Sequence, residues 1–457
     1  MSLTTRRILY IFFIIAFLII APMTLFYAAG YKFSLKGVKL QKTGAFILDS
    51  EPRGAKIFIN DKPQQTFLKK YISDESGFSV TPAKIKGLLP GEYNLKLELD
   101  GYWPWQKKLT IYPGASTYAE DVHLFKKDLP ILLAQGGISG ATASPDKNKI
   151  AVSTNGQILI LNLADEKQTK LAASSGGGAA FSWAPSGKKI LFDTTVVNLE
   201  NIKESETPGI DLGDFIKTKN KIGGIRWDIA SDDKLYYQDK NNINSFTLST
   251  KTNQIILEGQ QFEDYLIKNN YLYFISRLGG ATNLNIFDIG SRQLIRTVDL
   301  PSSTDFYFIN PNHKLLNLYD ETHQILYLID PFSSFYSPLR ETINNIKYAY
   351  WVNDDKLLYA NDFEIWLFDL NANKKTLLTR ISQIITGVIW HPSNNYIIYC
   401  VENAVNAIEL DERDKYNITE IIKLDKIAFP FLSQAGDILY FYAKIGNREG
   451  LYKLNIQ

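Results

Sequence analysis

Cysteine and histidine are scarce in this 457-residue chain. The single cysteine, Cys400, excludes any disulfide within the chain. The four histidines include no pair at the i, i+4 spacing of a helical zinc site, and the HExxH and CxxC motifs are missing. The sequence therefore gives no reason to assign a metal site or a cofactor.

Motifs of common hydrolases and nucleotide-binding proteins are also missing. No G-x-S-x-G elbow occurs, which argues against a serine hydrolase of that type. Gly187-Lys188 is similar to the end of a phosphate-binding loop, but Lys189 stands where Ser or Thr is needed, and Ser182 stands at the upstream glycine position. We therefore assign no catalytic residue and expect a protein without enzymatic activity.

Acidic residues are missing from residues 1–42, which carry six lysines and arginines. Because the whole chain has a formal net charge of +2, the remainder carries −4. This remainder lacks the basic surface typical of nucleic-acid-binding proteins, so we expect no nucleic-acid partner. We expect Lys32, Lys36, Lys39 and Lys42 to contact anionic lipid headgroups.

One long run, Ile8 to Ala29, contains no charge at all. A helix of its 22 residues would be about 33 Å long, enough for the hydrocarbon core of a bilayer. A cleaved signal peptide is the alternative, but its apolar core is usually only about 7 to 15 residues. We therefore predict a cytoplasmic tail over residues 1–7, a retained transmembrane anchor in the lipid bilayer over residues 8–30, and a juxtamembrane linker over residues 31–43.

Charges around this span leave its orientation ambiguous. Arg6 and Arg7 precede it and four lysines follow it, so the count of positive charges slightly favours an external N-terminus. A span so near the N-terminus nevertheless acts as a signal anchor, and long domains translocate largely regardless of charge. We predict a single-pass protein of the cell membrane with a cytoplasmic N-terminus and extracytoplasmic C-terminal domains.

Residues 44–124 have the pattern of a small β-domain. Apolar residues alternate with polar ones from Glu92 to Leu99, which is the period of a half-buried strand. Further short strands are indicated at Ala55 to Ile59, Lys108 to Tyr112 and Val122 to Leu124. About seven short strands in so few residues predict a small β-sandwich.

Turn-forming motifs separate these strands: Pro52-Arg53-Gly54-Ala55, Thr81-Pro82, Leu89-Pro90-Gly91-Glu92-Tyr93 and Gly101-Tyr102. In type and order they resemble the motifs of the PEGA domain. The resemblance implies an extracytoplasmic β-module of bacterial and archaeal surface proteins, usually without catalysis, with Tyr93 and Tyr102 in its core. It also supports the orientation predicted above.

Two parts of this domain are candidate partner contacts. The segment from Asp61 to Val80 is longer than the short turn expected in a PEGA domain, and it is either a solvated loop or a partner contact. Trp103 and Trp105 would share one face of a strand, where one belongs to the core or both form an exposed stacking platform. The candidate contact residues are Phe67, Tyr71, Phe78, Trp103 and Trp105.

Eight similar units follow, starting at Ala143, Trp183, Trp227, Ile267, Ile309, Trp351, Trp390 and Leu432. Each has a large apolar residue, a polar turn and further apolar runs of strand length. A period of about 40 to 45 residues with four short strands indicates the blades of a β-propeller. We predict an all-β protein with an eight-bladed β-propeller over residues 125–457; seven blades are the alternative.

The unit from Trp183 to Phe192 is the clearest copy, and it resembles the W-S-P-D-G-K turn of TolB-like and WD-type propellers. Pro185 and Gly187 suit such a turn. Where glycine is missing, we expect Asn148, Asp355 and Asn395 to adopt its positive φ.

Recurring residues in the units have predicted structural roles. The tryptophans at the shared first position are expected to pack between blades; they are Trp183, Trp227, Trp351 and Trp390. His391 occupies the serine position of its turn, where we expect a structural role.

The last unit has no fourth strand of its own, because the chain ends at Gln457 after its third. An open blade would leave an unpaired sheet edge, which natural proteins avoid. We therefore predict that the apolar segment at residues 129–134 supplies the outermost strand of the last blade, next to residues 451–456.

Together these features predict a membrane-anchored binding or scaffold protein of the cell envelope, with a protein or a polysaccharide as its ligand. The alternative is an envelope enzyme, a glycan lyase or hydrolase, that uses the mouth of the propeller. A structural spacer without a ligand is a third interpretation. The lining of the propeller mouth discriminates between the first two: convergent acids, histidines and arginines favour an enzyme, and a mixed or apolar lining favours binding.

Overall fold

The computed structural model describes residues 3–34, 39–65, 77–154, 157–171, 181–200, 209–218, 220, 222–259, 261–303, 305–334 and 337–457. The chain divides into two compact units. The N-terminal unit comprises Met1–Leu129, Ile408–Ile421 and Asn455–Gln457. The propeller unit comprises Pro130–Ala407 and Ile422–Leu454.

The N-terminal unit begins with helix α1, Leu3–Ala28, whose side chains are mostly apolar and are not buried within the protein. Pro22 lies inside the helix, and Gly30, with a φ of +83°, follows its end. The predicted apolar helix is thus confirmed as an element long and apolar enough to cross a membrane. Its insertion and its orientation stay predictions.

A short hairpin follows the helix. Its strands are β1, Tyr31–Ser34, and β2, Lys39–Lys42, and Tyr31 pairs with Lys42. The backbone N–H and the hydroxyl of Thr43 both donate to the carbonyl oxygen of Gly30, each at 2.8 Å. The predicted linker over residues 31–43 is therefore paired structure along its described length.

Two sheets with a shared apolar core make up the next part of this unit. One sheet has the order β6-β3-β9, with β3 parallel to β9, and the other has the order β5-β4-β7-β8. Leu95 and Leu97 of β7 pack with Phe46 in the core, as the alternating pattern predicted, and Tyr93 and Tyr102 pack against it. The strands are β3 Gly44–Glu51, β4 Lys56–Ile59, β5 Lys62–Pro63, β6 Ala83–Leu88, β7 Gly91–Glu98, β8 Trp105–Ile111 and β9 Ser116–His123.

The first half of the propeller unit consists of successive antiparallel strands. Its strands are β10 Ile131–Gln135, β11 Ile138–Ala143, β12 Lys149–Thr154, β13 Gln157–Asn162, β14 Gln168–Lys170, β15 Phe181–Trp183, β16 Lys189–Phe192, β17 Thr195–Asn198, β18 Ile210–Asp211, β19 Ile222–Asp228, β20 Ser231–Asp239, β21 Asn242–Thr247, β22 Thr252–Leu257, β23 Asp264–Lys268, β24 Tyr271–Leu278, β25 Ala281–Asp288 and β26 Gln293–Leu300. A short 3-10 helix, Leu212–Asp214, follows β18.

The second half repeats the pattern. Its strands are β27 Phe306–Ile309, β28 Leu316–Asp320, β29 Ile325–Ile329, β30 Leu339–Ile343, β31 Tyr348–Trp351, β32 Lys356–Ala360, β33 Glu364–Asp369, β34 Lys374–Arg380, β35 Ile385–Trp390, β36 Tyr396–Val401, β37 Ala404–Glu409, β38 Ile418–Lys423, β39 Lys426–Leu432, β40 Ile438–Ile445 and β41 Arg448–Asn455.

These strands form eight four-stranded sheets over the described ranges of the chain. Seven of them use four consecutive strands each, from β11–β14 to β35–β38. Successive four-stranded antiparallel sheets of this kind are the repeating element of a β-propeller. The fold of this unit is therefore a β-propeller.

The remaining sheet has the order β10-β41-β40-β39 and so combines the two ends of the repeat array. Ile131 pairs with Lys453, and Gln135 pairs with Gly450. The prediction that residues 129–134 supply the outermost strand of the last sheet is confirmed for residues 131–134, which lie in β10. The sheet edge that β41 would otherwise present is covered by β10.

The turns between first and second strands correct one prediction. Gly187 has a positive φ, +72°, as expected, but Asn148, Asp355 and Asn395 do not. Lys147 and Asn394, each one residue earlier than the predicted asparagine, carry the positive φ instead, +54° and +63°. In these two turns the positive φ was therefore predicted one residue late, and in the turn at Asp355 none of residues 353–356 has a positive φ.

Candidate functional site: a cavity along the first strands of the propeller unit

A cavity of about 590 Å³ lies in the propeller unit against the first strands of four successive sheets, β15, β19, β23 and β27. It is lined mainly by aromatic, aliphatic and proline side chains from these strands and their turns. The lining residues are Pro145, Ser182, Trp183, Pro185, Ile225, Arg226, Trp227, Asp228, Ile229, Tyr236, Tyr265, Leu266, Ile267, Phe308, Pro311 and Asn312.

Trp183 and Trp227 form one wall, and both come from the recurring first position of the units. The indole N–H of Trp227 donates to the carbonyl oxygen of Ser182 at 3.2 Å, which ties β19 to β15. Both tryptophans are half-buried and pack against the apolar cores of their sheets. The predicted packing role is therefore correct for them, but the repeat pattern gave no sign that they also line a cavity.

Arg226 is the only basic residue among those that line the cavity in the described chain, and its charge is already compensated. Its Nη2 donates to Asp264 Oδ1 at 2.5 Å, and its Nη1 donates to the carbonyl oxygen of Tyr265. Burial raises the pKa of Asp264 above its ordinary value, while Arg226 and the backbone N–H of Phe308 oppose that shift. This partly buried ion pair leaves little net charge for a ligand.

The two tyrosines of the cavity are neutral hydrogen-bond donors. The hydroxyl of Tyr236 donates to Asp228 Oδ2 at 2.7 Å, and that of Tyr265 donates to the carbonyl oxygen of Gly224 at 2.6 Å. Burial raises the pKa of both tyrosines far above the ordinary value, and Asp228 raises that of Tyr236 further. Neither hydroxyl is therefore suited to act as a base near neutral pH.

Two polar groups of the lining have no partner within the described residues. They are the hydroxyl of Ser182 and the indole N–H of Trp183, and both atoms are buried. A buried donor without an acceptor costs about 1–3 kcal/mol. An indole N–H can only donate, so the atom that satisfies it must be an acceptor.

The described residues of this lining include no arrangement of a nucleophile with an adjacent base. A nucleophilic serine needs an adjacent base, and Ser182 Oγ has no hydrogen-bond partner among the described residues. The acidic side chain of the lining, Asp228, accepts a hydrogen bond from Tyr236, and Asp264 beside the cavity accepts one from Arg226. No group of histidine, cysteine, aspartate and glutamate in the described chain is arranged to hold a metal ion.

The turn histidines have structural contacts. The Nδ1 of His391 lies 2.8 Å from the hydroxyl of Ser393, and its Nε2 lies 3.2 Å from the carbonyl oxygen of Gly436 in the next unit. His313 stacks on Trp351 of the next unit with ring centroids 3.5 Å apart. The structural role predicted for His391 agrees with these contacts.

The two tryptophans of the N-terminal unit have different environments. Trp105 is only 4% exposed, and its indole N–H donates to Glu409 Oε2 at 3.0 Å. Trp103 is half-buried, lies outside β8, donates to the carbonyl oxygen of Ile421 at 3.2 Å and has Lys127 Nζ 4.7 Å above its ring. A platform of two exposed indoles is therefore wrong, because Trp105 belongs to the core, which was the other interpretation.

The remaining candidate contacts lie in the long segment of this unit. Phe67 and Tyr71 lie outside the described residues. Phe78 is half-buried, with its ring centroid 6.5 Å from that of Phe58 and with Lys56 Nζ 5.8 Å away. Part of the segment is thus joined to the sheet, since Gln65 also bridges to Phe78. A partner contact through these residues stays a prediction.

Comparison with known proteins gives similarity of fold and little else. No protein-family model matches the chain, and no curated protein matches its sequence. The Dos1 propeller is similar over 73% of this chain and 96% of its own, with 13% identity and a TM-score of 0.49.

Two further solved structures have comparable values. A eukaryotic initiation factor is similar over 70% of this chain and 86% of its own, with 12% identity and a TM-score of 0.48. The mitotic checkpoint complex is similar over 72% and 89%, with 13% identity and a TM-score of 0.39. At these values the similarities say nothing about a partner or an activity.

Proposed function

We propose that this chain is a membrane-anchored binding protein of the cell envelope whose propeller cavity accepts an uncharged, extended segment of a partner protein. The observation that carries the proposal is the cavity itself. Its walls are apolar and aromatic, and two of its lining residues carry buried donors without a hydrogen-bond partner among the described residues, Ser182 Oγ and Trp183 Nε1. Backbone carbonyl groups of an extended peptide are acceptors without internal partners, so they complement such donors.

A polysaccharide, the other ligand class compatible with the sequence, is less well matched. Each sugar hydroxyl needs hydrogen-bond partners, while the charged groups of this cavity are engaged with Asp264 and Tyr236. Burying unpaired hydroxyls against residues such as Ile225 and Phe308 is unfavourable. The partner class that we propose is therefore protein.

The setting of this site is proposed from the N-terminal half of the chain. Residues 8–30 anchor the protein in the bilayer, with the N-terminus in the cytoplasm and the rest outside. The PEGA-like motifs of residues 44–124 support an extracytoplasmic location, and the eight four-stranded sheets support an eight-bladed propeller. Helix α1, which carries no charge from Ile8 onwards and has no buried residue, supports the anchor.

The test is crosslinking and capture of partners from native membranes, compared between two matched variants. Trp183→Phe removes the unpaired donor and keeps an aromatic ring, so we expect captured partner to fall about three- to tenfold, the equivalent of one hydrogen bond. Trp390→Phe removes an indole N–H that donates to Asn394 outside the cavity, and it should leave capture unchanged. Equal capture by both variants would contradict the proposed site.

A further inference from the structure

A second cavity, of about 520 Å³, lies in the N-terminal unit at the end of helix α1. Its walls come from the helix end at Tyr27 and Ala28, from the β1–β2 hairpin and from β6. This juxtamembrane cleft belongs entirely to the N-terminal unit. It shares no residue with the propeller cavity.

Three lysines from two separate elements line the juxtamembrane cleft: Lys32 of β1 and Lys84 and Lys86 of β6. Side chains alternate along a strand, and Ile85, between the last two, packs against the sandwich core. Lys84 and Lys86 therefore project together from the opposite face of β6. All three lysines are exposed to solvent.

Glycines let lysine side chains lie close to the backbone at this cleft. A Cβ on Gly87 would lie 3.1 Å from Lys32 Nζ, and a Cβ on Gly114 would lie 3.1 Å from Lys42 Nζ. Both glycines line the cleft, and both have a positive φ, +74° and +70°. The backbone is thus shaped so that ammonium groups from the hairpin meet the wall of the sandwich.

The charges of the juxtamembrane cleft have no counter-charge in the described part of the chain. None of Lys32, Lys84 and Lys86 forms an ion pair or a hydrogen bond there. The lining residues include no aspartate or glutamate. Like charges repel each other, so clustered lysines without an acid favour an anion in the cleft.

The depth of the cleft relative to the anchor identifies the kind of anion. The predicted span ends at residue 30, and the cleft starts at Tyr27 and continues to Lys32. Polar headgroups extend about 5–8 Å beyond the hydrocarbon core on each side. Tyr27 and Tyr31 are residues typical of this interface. The three lysines therefore lie at the level of lipid phosphates when the helix spans the bilayer.

We propose that the juxtamembrane cleft binds the phosphate of an anionic lipid headgroup through Lys32, Lys84 and Lys86. The site rests on the predicted anchor but not on any property of the propeller cavity. It also gives a reason for the positive charges that follow the span. Lysines on that side act as ligands of a lipid, and the count of positive charges is then a poor guide to orientation.

The test uses the full chain, extracted into mixed micelles of phosphatidylglycerol and phosphatidylcholine, with retained lipids counted by native mass spectrometry. The unaltered protein should retain phosphatidylglycerol in preference. A lysine near an anionic surface contributes roughly 1 kcal/mol, equivalent to about a fivefold change in affinity. The triple variant Lys32→Gln, Lys84→Gln and Lys86→Gln should therefore lose about a hundredfold of this preference.

A matched control removes the same charge elsewhere. Lys170→Gln, Lys240→Gln and Lys374→Gln alter exposed lysines of the propeller unit and should leave the lipid preference unchanged. An unchanged melting temperature of both triple variants verifies that they fold. The proposal is overturned if the unaltered protein shows no lipid preference or if the control loses it equally. Displacement of phosphatidylglycerol by millimolar inorganic phosphate would indicate a site for free anions and would overturn it as well.

Discussion

Lys107 is a charged residue in an almost fully buried position of the N-terminal unit. Its side chain is 1% exposed, and its Nζ lies 3.1 Å from Glu409 Oε2, which also accepts the indole N–H of Trp105. The carbonyl oxygen of Asp411 accepts a second hydrogen bond from the same ammonium group at 2.6 Å. The segment Ile408–Ile421 therefore contributes the counter-charge that makes this burial possible.

Replacing Lys107 with methionine should strongly destabilise the N-terminal unit near neutral pH. Breaking a buried ion pair from one side costs about 3–5 kcal/mol, because the remaining charge has no partner. Burial already raises the pKa of Glu409, and Lys107 opposes that shift, so the pKa rises further in the variant. A carboxyl group with a raised pKa in the folded state favours folding as pH falls. The loss in free energy of unfolding caused by Lys107→Met should therefore become smaller as the pH falls from 7 towards the ordinary glutamate pKa of about 4.3.

Urea unfolding at several pH values measures this deficit, with the unaltered protein compared at each pH. The neighbouring pair Lys108 and Glu92 is solvent-exposed, with 48% and 61% of the two side chains accessible, so Lys108→Met should leave the unfolding midpoint unchanged. The double variant Lys107→Met, Glu409→Leu should recover much of the loss. A deficit of Lys107→Met that stays constant from pH 7 to pH 4.5 would contradict the assignment.

At the residue scale, the sequence predicted which residues pack in the core better than it predicted what else surrounds them in the structure. The tryptophan repeat predicted packing, and Trp183 and Trp227 do pack, yet only the convergence of four first strands makes them line a cavity. Trp103 and Trp105 have the same sequence spacing as two residues on one strand face. The strand begins only at Trp105, so their environments differ. Such outcomes depend on contacts distant in sequence, which a local pattern does not record.

At the element scale, the closing sheet was predictable because unpaired strand edges are unfavourable. The last repeat lacked a strand and an apolar segment before the first repeat lacked a partner, so pairing them satisfied both. The structure confirms this pairing of β10 with β41. The β1–β2 hairpin was not predicted, since its short sequence has too little periodicity to distinguish a strand from a linker.

Gly450 is the residue of β41 on which this pairing depends most. A Cβ at this position would lie 2.0 Å from the carbonyl oxygen of Ala134 and 2.9 Å from Leu132 Cδ1. Backbone atoms cannot move aside as a flexible side chain can, so Gly450→Ala should displace β10 and destabilise the propeller unit by about 1–3 kcal/mol. Urea unfolding measures the stability, and limited proteolysis near Gln135 reports release of β10.

Gly223 in β19 is the matched control for this substitution. A Cβ there would meet no atom within 4 Å, so Gly223→Ala should change stability by less than about 0.5 kcal/mol. If Gly450→Ala unfolds at the same urea concentration as Gly223→Ala and does not expose β10, the closing sheet contributes little to stability.

At the scale of the whole molecule, the periodic parts were predictable and the cavities were not. The repeats and the alternating strands follow from a period in the sequence, and the apolar helix follows from one long uncharged run, so all three could be predicted locally and appear in the structure. The cavities depend on side chains from several elements, such as Lys32 with Lys84, whose separation in sequence carries no periodic signal. Membrane orientation is a property of the whole chain that neither kind of pattern determines.

The orientation can be measured through the single native cysteine. Cys400 is fully buried in β36, and burial raises the pKa of its thiol to about 12, so it should not react with a maleimide in the folded protein. New cysteines in the full chain are then the only reactive thiols. Thr4→Cys, in the first turn of helix α1, reports on the side of the membrane where the helix begins, and Lys374→Cys reports on the exposed surface of β34.

A membrane-impermeant maleimide added to intact cells should label Lys374→Cys at once and Thr4→Cys only after lysis. The unaltered protein should be labelled only after denaturation, which verifies that Cys400 is silent. Labelling of Thr4→Cys in intact cells would mean the reverse orientation, which the lysines after the span favour by charge count alone. A shortened protein that is never labelled at position 4 would mean that the helix is a cleaved signal sequence. Either result would contradict the anchored, extracytoplasmic role proposed for the propeller. That role requires both retention of helix α1 and export of the domains after it.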